Sequence, residues 1–267
     1  MKAVVLAAGL GTRLRRGDAR ARLGAAQSAA ADRGLKALVP VAGRPFLDYG
    51  LSRLADAGVR DVCLVVGPSS AAVRDHYAAA PPERVRLAFA EQREPRGTAD
   101  ALLSAEAYAG GESFLALNSD NLYPVAALTA LERLGEPGLP VFERGALLAS
   151  SNFSAERVAR FATLSVGPDG YLERVVEKPG PDEPAPAGEV LLSMNLWRFS
   201  PAIFEACRRV PLSARGESEL PQAVAFGIAA LGLRFRTFRC DEGVLDLSAR
   251  EDVPALDARL AGVEPRP

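Results

Sequence analysis

The chain begins with a short apolar run that breaks into small residues, Leu6-Ala7-Ala8-Gly9-Leu10-Gly11-Thr12-Arg13, and the reading of this stretch decides the fold. Residues 2–6 have the pattern of a buried strand. A strand that dissolves into glycines before a basic residue brings backbone N–H groups close to an anion with no side chain in the way. Gly9 and Gly11 permit the tight turn, Thr12 adds a hydroxyl donor, and Arg13 offers a planar fork for phosphate oxygens. Two other phosphate loops are excluded. The dinucleotide fingerprint needs a glycine where Leu14 stands, and the P-loop needs Gly-Lys-Ser/Thr, which is absent. A glycine pair after a strand also serves as a plain turn, so its meaning depends on the residues downstream.

Outward from the loop, short apolar runs alternate with helical periodicity. The pattern predicts a helix over 44–57, a strand over 61–66, a helix over 71–79 and a strand over 84–90. A helix over 98–108 and a strand over 113–117 come next. Such alternation requires parallel pairing with crossover helices on both faces. Beyond Glu143 the texture changes. Residues 146–150 and 160–166 read as strands, Gly167-Pro168-Asp169-Gly170 as a turn into 171–176, and 189–199 as one long strand. A helix is expected near Ser200-Pro201, another over 220–231, a strand over 233–239 and a final helix over 251–260. The fold class is therefore α/β: a single domain on a doubly wound, mixed but mostly parallel sheet. Two segments read as mobile loops, 15–34 and 179–188.

Composition narrows the class of function. The 267 residues are 48% hydrophobic and 24% charged, with 32 Lys+Arg against 33 Asp+Glu. Near balance gives no basic surface for a nucleic acid and no charged tail. Cys63, Cys207 and Cys240 have no metal-ligand spacing, and His76, the sole histidine, excludes any mechanism needing two. The N-terminal apolar stretch is too short for a signal peptide, and no run has membrane-spanning length, so a cytoplasmic protein is expected.

The loop Leu6–Leu14, followed by Lys36-Ala37-Leu38-Val39-Pro40-Val41-Ala42-Gly43-Arg44-Pro45, closely resembles the signature of the sugar-1-phosphate nucleotidylyltransferases, which include the glucose-1-phosphate thymidylyl- and uridylyltransferases. Four further segments fall in that family's order. Gln92 with Gly97-Thr98-Ala99 resembles its base-reading segment. Ser119-Asp120-Asn121 resembles its metal turn, Glu177-Lys178-Pro179 its sugar-phosphate segment, and Leu245-Asp246-Leu247 its second metal turn.

The resemblance implies attack of a sugar-1-phosphate oxygen on the α-phosphate of a nucleoside triphosphate, giving an NDP-sugar and pyrophosphate. The nucleophile is already an anion, so the task is to bring two polyanions together and stabilise an in-line transition state. On this reading Asp120 and Asp246 hold Mg²⁺. Arg13 neutralises the β/γ side of the triphosphate and Lys36 the α-phosphate. Gly9, Gly11, Thr12 and Thr98 line the nucleotide, and Leu6, Ala8 and Gly97 contribute backbone contacts to the base. Gln92 reads the base, since a carboxamide both donates and accepts, which favours UTP or dTTP. Lys178 binds the sugar phosphate, Glu177 the sugar hydroxyls, and Asn195 faces the sugar. Residues 1–143 would be mainly the nucleotide half and 144–267 mainly the sugar-phosphate half, with no C-terminal β-helix.

The chain departs from the family pattern in several places. The interval from Arg13 to Lys36 is longer than usual, and 15–34 reads either as a lid or as a tolerated insertion. Leu35 replaces a proline, Ser119 a glycine, and Ser248-Ala249 a Gly-Thr, which makes Asp246 less secure and leaves Asp241 close enough to be a substitute metal ligand. Met194-Asn195 stands where hexose enzymes often carry a small residue and glycine, leaving the sugar open. Alternatives are a cytidylyl- or guanylyltransferase acting on another phosphate, and a non-catalytic nucleotide-binding relative. Oligomeric state is left open.

Overall fold

The computed structural model describes residues 1–16, 21–68, 70–176 and 189–267. Among the described residues a ten-stranded sheet forms the centre. Across it lie, in order, Leu172–Val176, Thr163–Val166, Leu191–Leu192, Gly138–Glu143, Trp197–Phe199, Phe114–Asn118, Lys2–Ala7, Asp61–Val66 and Arg86–Glu91, with Arg236–Cys240 pairing alongside Gly138–Glu143. The strands drawn from the first half of the chain pair in parallel, with Lys2–Ala7 between Asp61–Val66 and Phe114–Asn118. Most pairings in the second half are antiparallel, and they extend the same sheet without starting a new one.

Alternation along the first strand shows why the sheet is doubly wound. Ala3 and Val5 point into one core with Leu47, Leu51 and Leu128; Val4 and Leu6 point into the other with Leu102, Phe204 and Val224. Neighbouring side chains of a strand take opposite faces, so a strand apolar on both must be covered on both. The second core contains an aromatic cluster in which Trp197 stacks on Phe199 with ring centroids 5.5 Å apart and Phe114 on Phe204 at 5.4 Å.

Some expected elements differ. Residues 146–150 are not a strand: Arg144–Ser150 is a helix, started by Glu143, whose carboxylate accepts from the amides of Gly145 and Ala146 at 2.7 Å each. The single strand expected over 189–199 is interrupted, because Asn195 takes φ +54°. Asparagine is among the few non-glycine residues that tolerate this region. The helix over 98–108 breaks into Thr98–Leu103 and Glu106–Ala109.

The 15–34 extension is not one loop. It contains the helix Ala25–Asp32, which packs Ala31 into a third core with Leu14, Val39, Phe46, Leu245 and Leu256. Gln27 Nε2 donates to Asp257 Oδ2 at 2.9 Å and to the carbonyl of Pro40 at 3.0 Å; Arg250 joins Asp32 and, at 2.8 Å, the carbonyl of Leu14. The segment thus docks on the C-terminal helix Asp252–Leu260, and its described part carries a packed helix where a loop was expected. The 179–188 segment lies outside the described residues. Replacing fully buried Ala31 with Glu should cost about 2–4 kcal/mol by denaturant melts and make the extension the first site of limited proteolysis. A loosely attached insertion would register neither change.

Candidate active site

The loop after Ala7 turns because Gly11 adopts φ +61° and opens the short helix Thr12–Arg15. A Cβ on Gly11 would lie 2.5 Å from the carbonyl oxygen of Gly34, so the loop is pinned against the end of the extension. Gly34 in turn ends the Ala25–Asp32 helix at φ +71°, and the amide of Leu35 donates to Ala30 at 3.0 Å. A proline could not make that bond, so Leu35 belongs with the extension. The amides of Ala8, Gly9, Leu10 and Gly11 have no hydrogen-bond partner among the described residues. Ala8, Gly9 and Leu10, but not Gly11, edge a cavity of about 450 Å³ that is also lined by Leu6, Thr12, Lys36, Gln92, Gly97, Thr98 and Asp120. Gly9 has open space where a Cβ would go and no positive φ, so neither packing nor the turn itself requires glycine there.

At one end of this cavity the backbone amide of Gln92 donates to Val66 at 2.9 Å. Its Nε2 donates to the carbonyl of Gly97 and to Asp100 Oδ2, both at 2.9 Å. The side chain expected both to donate and to accept is therefore held as an acceptor. Gly97 sits at φ +110°, and a Cβ there would meet Ser218 O at 2.3 Å. Thr98 lines the cavity, but its Oγ1 also accepts from the amide of Leu220 at 2.8 Å, capping the Leu220–Leu231 helix. The carbonyl of Leu6 accepts from Ser119 at 3.1 Å, which makes Leu6 more a wall than a free backbone partner.

The two aspartate turns meet through a two-residue ribbon, Asn121–Leu122 against Leu245–Asp246, with Asp246 opposite Asn121. The amide of Leu247 donates to the carbonyl of Asp120 at 2.9 Å. Ser119 does not have positive φ, so the position does not require glycine. Lys36 Nζ donates to Asp120 Oδ2 at 2.8 Å. Burial works against the lysine's charge, yet the charge and hydrogen bond of Asp120 outweigh it and leave its pKa above the ordinary value.

Asp246 is buried and accepts from Asn121 Nδ2 at 2.8 Å, Ser248 Oγ at 3.2 Å and Arg157. Burial and then the charge of Asp120 push its pKa up to about 6, against the pull of Arg157. Ser248 thus supports Asp246. Asp241 is no substitute for it: its carboxylate is exposed and pairs with Arg239 at 2.9 Å, outside both cavities.

A second cavity, of about 260 Å³, shares Asn118 and Asp120 with the first and is lined by Arg13, Arg157, Arg160, Asn195 and Asp246. Arg13 therefore lines this cavity and not the first. The guanidinium groups of Arg13 and Arg160 have no acidic partner among the described residues. Arg157 bridges Asp246 and Asp252, the latter at 2.6 Å. Arg157 and Arg160 were not singled out from sequence, where nothing separates them from the other basic residues. Glu177 and Lys178 lie outside the described residues. His76 packs edge-on against Tyr77 and lines neither cavity.

This arrangement, a sheet edge carrying an amide-rich loop, two joined aspartate turns and a basic second cavity, suits the chemistry of phosphate groups. Residues 31–234 match the model of the Nucleotidyl transferase family, and the chain belongs to that family. A UTP–glucose-1-phosphate uridylyltransferase of Haloferax volcanii is 30% identical over 260 residues, covering 97% of this chain and 96% of its own. A glucose-1-phosphate thymidylyltransferase of Streptomyces antibioticus is 33% identical over 224 residues, covering 84% of this chain and 56% of its own. The crystal structure of a UDP-glucose pyrophosphorylase complexed with UDP-glucose superposes with a TM-score of 0.74 at 18% identity, over 98% of this chain and 99% of that one. The molecule is a nucleotidyltransferase enzyme on the single-domain fold of that family. Among the described residues no helix is long and apolar enough to cross a membrane.

Arg157→Gln leaves Asp246 and Asp252 without their shared cation. Because the guanidinium is partly exposed, the cost should be about 2–3 kcal/mol, below the full penalty for breaking a buried pair, as measured by urea denaturation. An unchanged midpoint would show that the bridge contributes nothing to the ribbon.

Proposed function

We propose that the enzyme transfers a nucleotidyl group from UTP or dTTP to a sugar 1-phosphate such as glucose 1-phosphate, releasing pyrophosphate. The observation that carries this reading is the pair of adjoining cavities with Lys36 and Asp120 where they meet. One has free amides and, in Gln92, a carboxamide whose oxygen is left to accept from a base. The other has arginines without acidic partners among the described residues, suited to a phosphate monoester. The names of the relatives, uridylyl- and thymidylyltransferases, support the same substrates.

In the proposed reaction an oxygen of the sugar phosphate attacks the α-phosphorus. A new P–O bond forms, the bond to the β-bridging oxygen breaks, and pyrophosphate leaves with the electron pair. The nucleophile is anionic, so no residue has to remove a proton, and none of the cavity-lining residues is a histidine. Arg13 and Arg160 would receive the acceptor phosphate, Lys36 would offset charge building at the α-phosphate, and Ala8–Gly11 would cradle the triphosphate. Asn195 would face the sugar. Residues 1–143 would supply most of the nucleotide cavity together with Arg13 of the acceptor cavity, and 144–267 would supply Arg157, Arg160 and Asn195 of the acceptor cavity.

The donor set fits Mg²⁺. Asp120 and Asp246 bring two hard carboxylates to one cavity edge, and magnesium takes one or two carboxylates together with phosphate oxygens and water. When bound it would supply positive charge to the phosphates.

Sugar 1-phosphates crossed with UTP, dTTP, CTP and GTP, with pyrophosphate release as the readout, should give highest kcat/KM with UTP or dTTP and glucose 1-phosphate. Use of GTP alone would contradict the role given to Gln92. Asp120→Asn should abolish turnover while leaving the melting temperature within a few degrees, and near-normal turnover would overturn the placing of the reaction at this junction.

A further inference from the structure

Asp100 is in the first turn of the helix Thr98–Leu103, two positions after Thr98. It lies outside the segments that the sequence points to, and it does not line either main cavity. What it does is hold Gln92. Both hydrogens of the Gln92 amide nitrogen are committed, one to the Gly97 carbonyl and one to Asp100 Oδ2. Its oxygen has no partner among the described residues and is not a buried orphan, so it opens to the cavity. Rotating the carboxamide by half a turn would set that oxygen against a carbonyl and a carboxylate. Two hydrogen bonds, one of them to a charged acceptor, would be exchanged for two repulsions.

We infer that Asp100 is a positioning residue for base selection: it locks Gln92 as an acceptor, so the cavity selects a pyrimidine with a ring N–H. Uracil and thymine present N3–H to such an oxygen, whereas cytosine presents a lone pair at N3. The inference rests on the reading of this cavity as the nucleotide site. It adds that the polarity of the base reader is set by a neighbouring carboxylate and not by the glutamine itself. The backbone helps from the other side. Gly97, whose φ of +110° and contact with Ser218 fix its position, directs its carbonyl to the same nitrogen.

The test uses Asp100→Asn. An asparagine can accept from the glutamine or donate to it, so the pair can adopt either orientation. Dissociation constants of UTP and CTP, with kcat and the KM for glucose 1-phosphate, should be measured on wild type and variant. The UTP-over-CTP preference should fall about five- to tenfold, through nucleotide binding, with kcat and the sugar-phosphate KM little changed. Asp100→Ala, which removes one acceptor and leaves Gly97 in place, should give a smaller fall in the same direction, and it serves if the asparagine variant fails to fold. Unaltered preference in a folded variant would overturn the inference. If wild type itself bound neither UTP nor dTTP, the reading of the cavity would fail instead.

Discussion

The contact between Lys36 and Asp120, 2.8 Å long, fixes the position of the rest of the site. Lys36 arrives from the end of the extension, and Asp120 from the turn after a central strand. Their pairing holds the wall shared by two cavities. Neither group is fully buried, so the pair retains contact with water while keeping a cation and an anion at one junction. Two polyanions cannot approach each other without such a point. The fold supplies it at the carboxyl edge of parallel strands, where backbone and side chains are free to face a ligand.

The elements of the first half were legible because its central strands are apolar on both faces; the strand 61–66 and the helix 71–79 fall where the pattern places them. Residues 146–150 misled because Ala-Leu-Leu-Ala has no helical or strand period of its own. The decision there rests with Glu143, three positions upstream, which caps the helix. The break at Asn195 was hidden for a different reason: its side chain gives no period signal, and only the backbone angle interrupts the strand.

In the site, Gln92, Lys36, Asp120 and Asp246 were legible as segments in order, but their chemistry was not. The ribbon joining Asn121 to Asp246 is a long-range pairing of two residues on each side, too short to leave a pattern. Arg157 and Arg160 look like surface arginines until the tertiary fold brings them beside Asp246 and Arg13. The polarity of Gln92 depends on Asp100, eight positions away, and on one carbonyl. The extension looked loose from composition, yet Ala31, Gln27 and Asp32 dock it onto the C-terminal helix, and its closing turn places Lys36.

The central claim is that Lys36 acts on charge that develops between the two substrates, and Lys36→Met tests it most directly. Equilibrium binding of UTP and of glucose 1-phosphate should be measured by calorimetry, alongside single-turnover rates of product formation. The account predicts a rate lower by about 10²–10³-fold with each dissociation constant shifted by less than about tenfold. An unchanged rate at saturation, with the whole loss in nucleotide affinity, would contradict it.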